Sequence, residues 1–217
     1  VCRTLDTHQS GTDRIAEVVA KERLDDHEII VNLQGDEPLM PARLLAQVAR
    51  VLADNPKAVA ATLATPVKDA DELHDPHTVK VIANHLGQAL YFSRAPIPWD
   101  REGKGGVQLA TAQRHLGLYA YRGGFLGRYS RLPSSSLEAL EQLEQLRILD
   151  AGEVIQVETA EAIPGQGIDT ALDLINAEAA LAALEAEGLI VAQGTETTIR
   201  RIAEDNRRSP AEIYRVI

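Results

Sequence analysis

The segment that constrains the fold most is an apolar run leading directly into an acidic, proline-bounded turn. Residues 29–31 are apolar, and the sequence VNLQGDEP occupies residues 31–38. Pro38 and Pro41 end the extended segment, and a helical pattern follows them. The order strand, polar turn, helix is typical of open α/β sheets, in which ligands bind beyond the carboxyl ends of the strands.

Strand and helix patterns continue to alternate along the chain. The pattern predicts helices at residues 11–21, 41–53, 123–130, 136–151 and 170–187, and strands at residues 28–33, 58–67, 79–83, 89–93, 114–122 and 153–157. Ser136 is the predicted N-cap of its helix. Residues 94–113 are predicted to be a long functional loop. This alternation predicts a layered α/β fold with a mainly parallel sheet, and the hairpin at residues 79–93 predicts a small antiparallel subdomain.

Charge and composition exclude several classes of function. The net charge of −10 argues against broad binding to nucleic acid or to an anionic membrane. A single cysteine, Cys2, excludes an intramolecular disulfide and a cysteine zinc cluster. No apolar run approaches membrane-spanning length and no signal-peptide pattern opens the chain, so we expect a cytoplasmic location. Because the chain begins with strand-like residues and its only methionine is Met40, we expect an N-terminal portion to be missing.

Two aspartates lie where a strand or loop gives way to a helix. Asp36 lies in the first turn, and Asp169 lies in the sequence PGQGIDT at residues 164–170. Asp169 could simply cap the helix that follows. If the sheet brings the two carboxylates together, they can share one hard cation through oxygen ligands.

A polar turn opens the first helix. It has the sequence HQSGTDR at residues 8–14. Ser10 or Thr12 could cap the helix, which is the favoured interpretation of the turn taken alone. The alternative is a loop that recognises the edge of a nucleobase.

Three further groups are candidates for substrate contact. His115, Gly117 and Tyr119 lie on one face of a predicted strand, which suits a polyhydroxylated substrate or a solvated sheet face. Arg94 ends another strand and could bind a carboxylate or form a surface ion pair. Glu144 and Gln145, on a helix with a leucine stripe, point either into a pocket or into water.

Taken together, these segments resemble the CMP-Kdo synthetase family (3-deoxy-manno-octulosonate cytidylyltransferase). Six motifs carry the resemblance, in family order from residue 1 to about 188. They are HQSGTDR at 8–14, VNLQGDEP at 31–38, ALYFSR at 89–94 with IPWD at 97–100, RHLG at 114–117, LEQLR at 143–147 and PGQGIDT at 164–170.

The resemblance implies a nucleotide-sugar transferase-like (Rossmann-like) fold, usually a dimer. The implied reaction is CTP plus Kdo giving CMP-Kdo and pyrophosphate, with Mg²⁺, for lipopolysaccharide biosynthesis. Asp36 and Asp169 would hold the metal and be catalytic. The nucleotide would be bound by Gln34 and by residues of the polar turn, namely His8, Gln9, Ser10, Gly11, Thr12 and Arg14. The sugar acid would be bound by Arg94, His115, Tyr119, Glu144 and Gln145.

The sequence departs from the family at both ends. The basic, glycine-containing loop that opens the family and grips the triphosphate is absent, so we expect this chain alone to be weakly active or inactive. Residues 1–188 would be the cytidylyltransferase domain, and residues 189–217 a short helical tail. The tail is locally basic, but a docking element is favoured there over DNA binding. The alternatives are a related or amino sugar acid as acceptor, or a catalytically incomplete, non-enzymatic homologue.

Overall fold

The computed structural model describes residues 2–8, 10–34, 37, 40–103 and 106–164. The chain forms two compact units, one comprising Val1–Gln34 and Pro41–Ile163, the other Gly35–Met40 and Pro164–Ile217. The fold below is that of the first unit. Gln9, Asp36 and Asp169 lie outside the described residues, as do the predicted helix at residues 170–187 and the predicted tail.

The described elements follow the predicted alternation of helices and strands. In chain order they are α1 (Gly11–Glu22), β1 (Ile29–Leu33), α2 (Ala42–Asp54), β2 (Ala60–Pro66), α3 (Ala70–His74), β3 (Lys80–Ala83), β4 (Ala89–Ser93), α4 (Gly106–Thr111), β5 (Gln113–Arg122), α5 (Gly123–Tyr129), α6 (Ser136–Glu141), α7 (Gln145–Asp150) and β6 (Ile155–Thr159).

Three local predictions were wrong. The helix predicted at residues 136–151 is two helices, because Gln142 adopts the left-handed conformation with φ 54° and ends α6. Its N-cap is Ser135 rather than Ser136, and Ser135 forms a reciprocal capping box with Glu138. The predicted loop at residues 94–113 contains α4, a short helix of six residues.

The sheet confirms the α/β class. Its strand order is β4-β3-β5-β2-β6, and β1 also pairs with β5. Strands β1 and β2 are both antiparallel to β5, and β6 is parallel to β2, so β1, β2 and β6 run in the same direction. Between the described strands, four of the five pairings are antiparallel. The sheet therefore differs from a mainly parallel one because β5 lies between β1 and β2.

The predicted antiparallel hairpin is also present. Strands β3 and β4 pair antiparallel around the turn at residues 84–87. Strand β3 also pairs with β5, through Lys80 opposite Arg114. The hairpin therefore extends the main sheet instead of forming a separate one.

The core covers both faces of the central strand β5. Tyr119 and Tyr121 alternate along it with Leu118 and Ala120, and all four are buried. The tyrosines belong to an aromatic cluster that continues into α5, where the rings of Tyr121 and Phe125 lie 6.5 Å apart. Among the described helices, none is long and apolar enough to cross a membrane.

Candidate active site

The floor of the candidate site is a row of side chains across three neighbouring strands. Asn32 on β1 and Thr62 on β2 both lie directly opposite Tyr119 on β5. Because directly opposed residues point to the same face of a sheet, these three side chains share one face. Gln34 follows Asn32 by two residues, so the period of the strand directs it to the same side.

The first turn of α1 approaches this face at a glycine. A Cβ atom placed on Gly11 would lie 3.7 Å from Nε2 of Gln34, 3.8 Å from Nδ2 of Asn32 and 3.8 Å from Oε1 of Glu144. Two amides and a carboxylate therefore converge where Gly11 has no side chain. A large residue at this position would fill the space between them.

Glu144 is held in place by the helix it approaches. The backbone N–H of Thr12 donates to Oε2 of Glu144 over 3.1 Å, which satisfies one of the free donors at the start of α1. The Thr12 hydroxyl lies 3.1 Å from the hydroxyl of Tyr121. Gln145, the next residue, is only 4% exposed. Gln145 is therefore buried, and the half-buried Glu144 is directed to the first turn of α1.

A threonine hydroxyl determines the hydrogen-bonding state of His115. Oγ1 of Thr62 lies 2.9 Å from the carbonyl of Leu118 and 3.1 Å from that of Leu116. Carbonyl oxygens only accept, so the single hydroxyl proton is directed to them. Nε2 of His115, 3.0 Å away, must then donate to Thr62. The other ring nitrogen, Nδ1, therefore carries a lone pair.

Burial keeps this imidazole neutral. The ring of His115 lies 5.1 Å from that of Phe92 and 5.2 Å from that of Tyr119, measured between centroids. Removal from water, with a smaller contribution from the positive charge of Arg114, lowers the pKa of His115 from 6.5 to about 3. His115 is therefore an uncharged hydrogen-bonding group at neutral pH and not a cationic partner for a carboxylate.

Two buried polar atoms on the floor of the site have no partner in the described part of the chain. They are Nδ2 of Asn32 and the hydroxyl of Tyr119. Their residues are 6% and 2% exposed. Burial raises the pKa of the Tyr119 hydroxyl well above its ordinary value, so this group remains protonated and able to donate.

Comparison with known proteins identifies the family. Residues 1–155 match the sequence model of a cytidylyltransferase family. Over 187 residues the chain is 54% identical to the 3-deoxy-manno-octulosonate cytidylyltransferase of Alkalilimnicola ehrlichii, covering 84% of this chain and 72% of that protein. This chain belongs to the cytidylyltransferase family.

Further relatives of this cytidylyltransferase agree with the match. The 3-deoxy-manno-octulosonate cytidylyltransferase of Proteus mirabilis is 50% identical over 189 residues, covering 86% of this chain and 74% of the relative. A solved structure of CMP:2-keto-3-deoxy-manno-octonic acid synthetase complexed with CTP has a TM-score of 0.73 and 41% identity. It covers 82% of this chain, which spans 70% of that protein.

Arg94 of the cytidylyltransferase is held by main-chain contacts. Its backbone N–H donates to Oε2 of Glu141 over 2.9 Å, and its Nε donates to the Glu141 carbonyl over 2.8 Å. Its Nη1 donates to the carbonyl of Pro76 over 2.9 Å. The surface ion pair considered from the sequence is not among the described contacts. A guanidinium carries more N–H donors than these two side-chain bonds use, so Arg94 can still bind a carboxylate.

The polar turn that opens α1 is held by hydrogen bonds within the chain. Ser10 is the N-cap of α1 and accepts from the backbone N–H of Asp13 over 3.1 Å, so the capping interpretation is confirmed. His8 bonds to Glu17, and Nη1 of Arg14 donates to the hydroxyl of Thr4 over 2.6 Å. A role of this turn in base recognition stays a prediction.

Three residues at the site were missed by the sequence analysis: Asn32, Thr62 and Tyr121. Asn32 and Tyr121 had an indication in the sequence, because each is two residues from a predicted site residue, Gln34 or Tyr119, and strand periodicity puts such pairs on one face. The role of Thr62 depends on strand pairing, which the sequence pattern did not predict.

Proposed function

We propose that this chain transfers the cytidylyl group of CTP to 3-deoxy-manno-octulosonate (Kdo), giving CMP-Kdo and pyrophosphate for lipopolysaccharide biosynthesis. The observation that carries the proposal is the 54% identity over 187 residues to a 3-deoxy-manno-octulosonate cytidylyltransferase. The convergence of Gln34, Asn32 and Glu144 around Gly11 supports it, because a nucleotide and a polyhydroxylated acid bound side by side need several hydrogen-bonding groups.

In the proposed reaction, the anomeric hydroxyl of the sugar acid attacks the α-phosphorus of CTP and pyrophosphate leaves in line. One new P–O bond forms, the bond to the leaving pyrophosphate breaks, and the hydroxyl proton is released. The chain contributes mainly by positioning. Gln34 and the turn before α1 would contact the cytidine, while Arg94 would bind the sugar carboxylate. His115, Tyr119, Glu144 and Gln145 would line the sugar pocket.

We also propose Mg²⁺ as the cofactor, with Asp36 and Asp169 as its ligands. Carboxylate oxygens are the protein ligands that Mg²⁺ prefers. Both aspartates lie outside the described residues, and the described residues contain no group of three or more metal-ligating side chains. When bound, the metal would neutralise negative charge on the phosphates. Asp36→Asn should weaken Mg²⁺ binding measured by calorimetry in the presence of CTP, and unchanged binding would remove this assignment.

Binding and turnover together test the proposed function. We expect calorimetry to show that the chain binds CTP more tightly than UTP, and Kdo more tightly than an amino sugar acid of the same length. Any pyrophosphate that the chain releases should require both CTP and Kdo, and binding, which needs no turnover, decides the test. Preference for the amino sugar acid would assign the acceptor differently. A chain that binds neither CTP nor Kdo would contradict the proposal.

A homodimer and a cytoplasmic location complete the proposal. Sedimentation equilibrium at several protein concentrations tests the first, and a purely monomeric species would contradict it. Fractionation of the source cells tests the second.

A further inference from the structure

The unpartnered groups at Asn32 and Tyr119 differ from the other buried polar side chains nearby. A buried donor without an acceptor destabilises the folded state, and the large majority of such groups in proteins are paired. Among the described residues, the buried side-chain atoms that lack a partner are Nδ2 of Asn32 and the hydroxyl of Tyr119. The two residues are also direct neighbours across β1 and β5. Directly opposed residues point to one face of the sheet, so both donors lie on that face.

The surroundings of these two donors determine what could satisfy them. Asn32 supplies an amide N–H, and Tyr119 supplies a hydroxyl that burial keeps protonated. On the other side of the gap at Gly11 is Oε1 of Glu144, a carboxylate oxygen that accepts hydrogen bonds. A group that accepts from one side and donates to the other fits between them. An alcohol hydroxyl does both, whereas a phosphate or carboxylate oxygen only accepts.

We propose that Asn32 is a substrate-binding residue whose amide, with the Tyr119 hydroxyl, donates to a hydroxyl group of the sugar acid, while Glu144 accepts a hydrogen bond from that hydroxyl. This inference rests on the proposed function, since it presumes a polyhydroxylated acid in this pocket. It adds Asn32 to the residues proposed to bind the sugar acid and states which groups donate. A substrate hydroxyl would supply the acceptor that the two buried donors lack in the folded chain.

The sugar acid fits this position better than the nucleotide does. Asn32 lies directly opposite Tyr119, and Thr62, also opposite Tyr119, bonds to His115. Asn32 is thus in the same row as the groups proposed for the sugar, while Gln34 extends one strand repeat beyond it. A cytosine carbonyl bound at Asn32 is the competing outcome, and separate titrations with Kdo and CTP distinguish the two.

The test uses Asn32→Leu, which keeps the number and branching of the side-chain atoms but removes the amide. We expect the dissociation constant for Kdo to rise about tenfold or more, because a substrate hydroxyl loses its donor. The constant for CTP should not change. The melting temperature should stay the same or rise, because an unsatisfied buried group has been removed. Tyr119→Phe, which removes only a hydroxyl, should behave in the same way.

Asn55→Leu is the matched control. Nδ2 of Asn55 donates to the carbonyl of Val51 over 2.8 Å at the end of α2, so its amide is already satisfied. This substitution should lower the melting temperature and leave Kdo binding unchanged. The two substitutions therefore distinguish an amide that stabilises the fold, at Asn55, from one that binds a ligand, at Asn32.

A set of sugar acids each lacking one hydroxyl identifies the group that is bound. One of these analogues should bind the unaltered chain and Asn32→Leu equally, because the same hydrogen bond is missing in both. If Asn32→Leu binds Kdo as tightly as the unaltered chain, or weakens CTP instead, the inference is overturned and the proposed function stands. If the unaltered chain binds no Kdo, both are overturned.

Discussion

The segment around Arg94 and the strand face around Asn32 both bury polar groups. In the first, the buried donor has acceptors within the chain, whereas in the second, two buried donors have none among the described residues. Near Arg94, the ammonium of Lys80 is fully buried and donates to the carbonyls of Asp75 and Arg94 over 2.9 and 2.7 Å. Near Asn32, two donors lack partners among the described residues. The first region is stabilised by its own chain, whereas the second is arranged for a ligand.

Among the substitutions that test this comparison, Lys80→Met should change the free energy of unfolding most. Lys80 also donates to the carbonyl of Thr78 over 2.5 Å, so the substitution removes a buried ammonium that donates to three carbonyls. We expect the free energy of unfolding to fall by about 3 kcal/mol or more, since hydrogen bonds to charged groups contribute about 1.5–3 kcal/mol each. Urea denaturation measures the loss. A change below about 1 kcal/mol would show that this region is not stabilised in the way described.

A pH titration of stability should show the next largest effect. The pKa of His115 is about 3 in the folded chain and 6.5 in its ordinary state. Between these values the unfolded chain binds one more proton, so the free energy of unfolding falls as pH falls, by up to about 1.4 kcal/mol per pH unit. Between pH 6.5 and 5, His115 should contribute a loss of about 2 kcal/mol, which His115→Asn should remove. Parallel pH profiles of the two proteins would contradict this.

Glu141→Gln should have a smaller effect on the Arg94 region. The carboxylate of Glu141 accepts from the Ser93 hydroxyl over 2.6 Å and from the backbone N–H of Arg94 over 2.9 Å. Loss of charge weakens both bonds, and we expect about 1–2 kcal/mol less stability together with weaker binding of Kdo. Glu153→Gln removes the charge from an exposed ion pair with Arg128 and should cost less than about 0.5 kcal/mol. Equal losses in urea denaturation would contradict the contrast.

Gly11→Ala should change stability least. The added methyl would lie 3.7 Å or more from its neighbours, an ordinary contact, and alanine favours a helix by about 0.5–1 kcal/mol at most. We therefore expect a melting temperature that is unchanged or slightly higher. Binding of Kdo should nevertheless weaken, because the methyl occupies the space between Asn32 and Glu144. Unchanged binding in calorimetry would place the sugar elsewhere.

The fold was predictable from the sequence wherever periodicity determines an element. The helix α1 and the strand β5 lie within one or two residues of their predicted positions, since their apolar spacing and turn residues are local. The position of β5 between β1 and β2 was not predictable in this way, because pairing depends on contacts between distant segments. The spacing of the leucines also did not predict the left-handed conformation of Gln142, which separates α6 from α7.

The site was predictable in its chemistry more than in its arrangement. The motifs indicated His115, Tyr119 and Glu144 as site residues. In the structure, His115 and Tyr119 lie on one face of β5, and Glu144 accepts a hydrogen bond from Thr12 of α1, the helix that approaches this face. The sequence could not show that the amide of Asn32 lacks an acceptor. This depends on which groups of β5 and α1 lie beside it in the folded chain. The metal site at Asp36 and Asp169 stays a prediction.

The hydroxyl proton of Thr62 has a consequence for the substrates that His115 can accept. With that proton committed to the main chain, the histidine offers incoming molecules a lone pair and no hydrogen. A sugar alcohol can supply the hydrogen itself, whereas a methyl ether or an ionised oxygen cannot. The Thr62 side chain on β2 thus restricts which substrate groups His115 can bind.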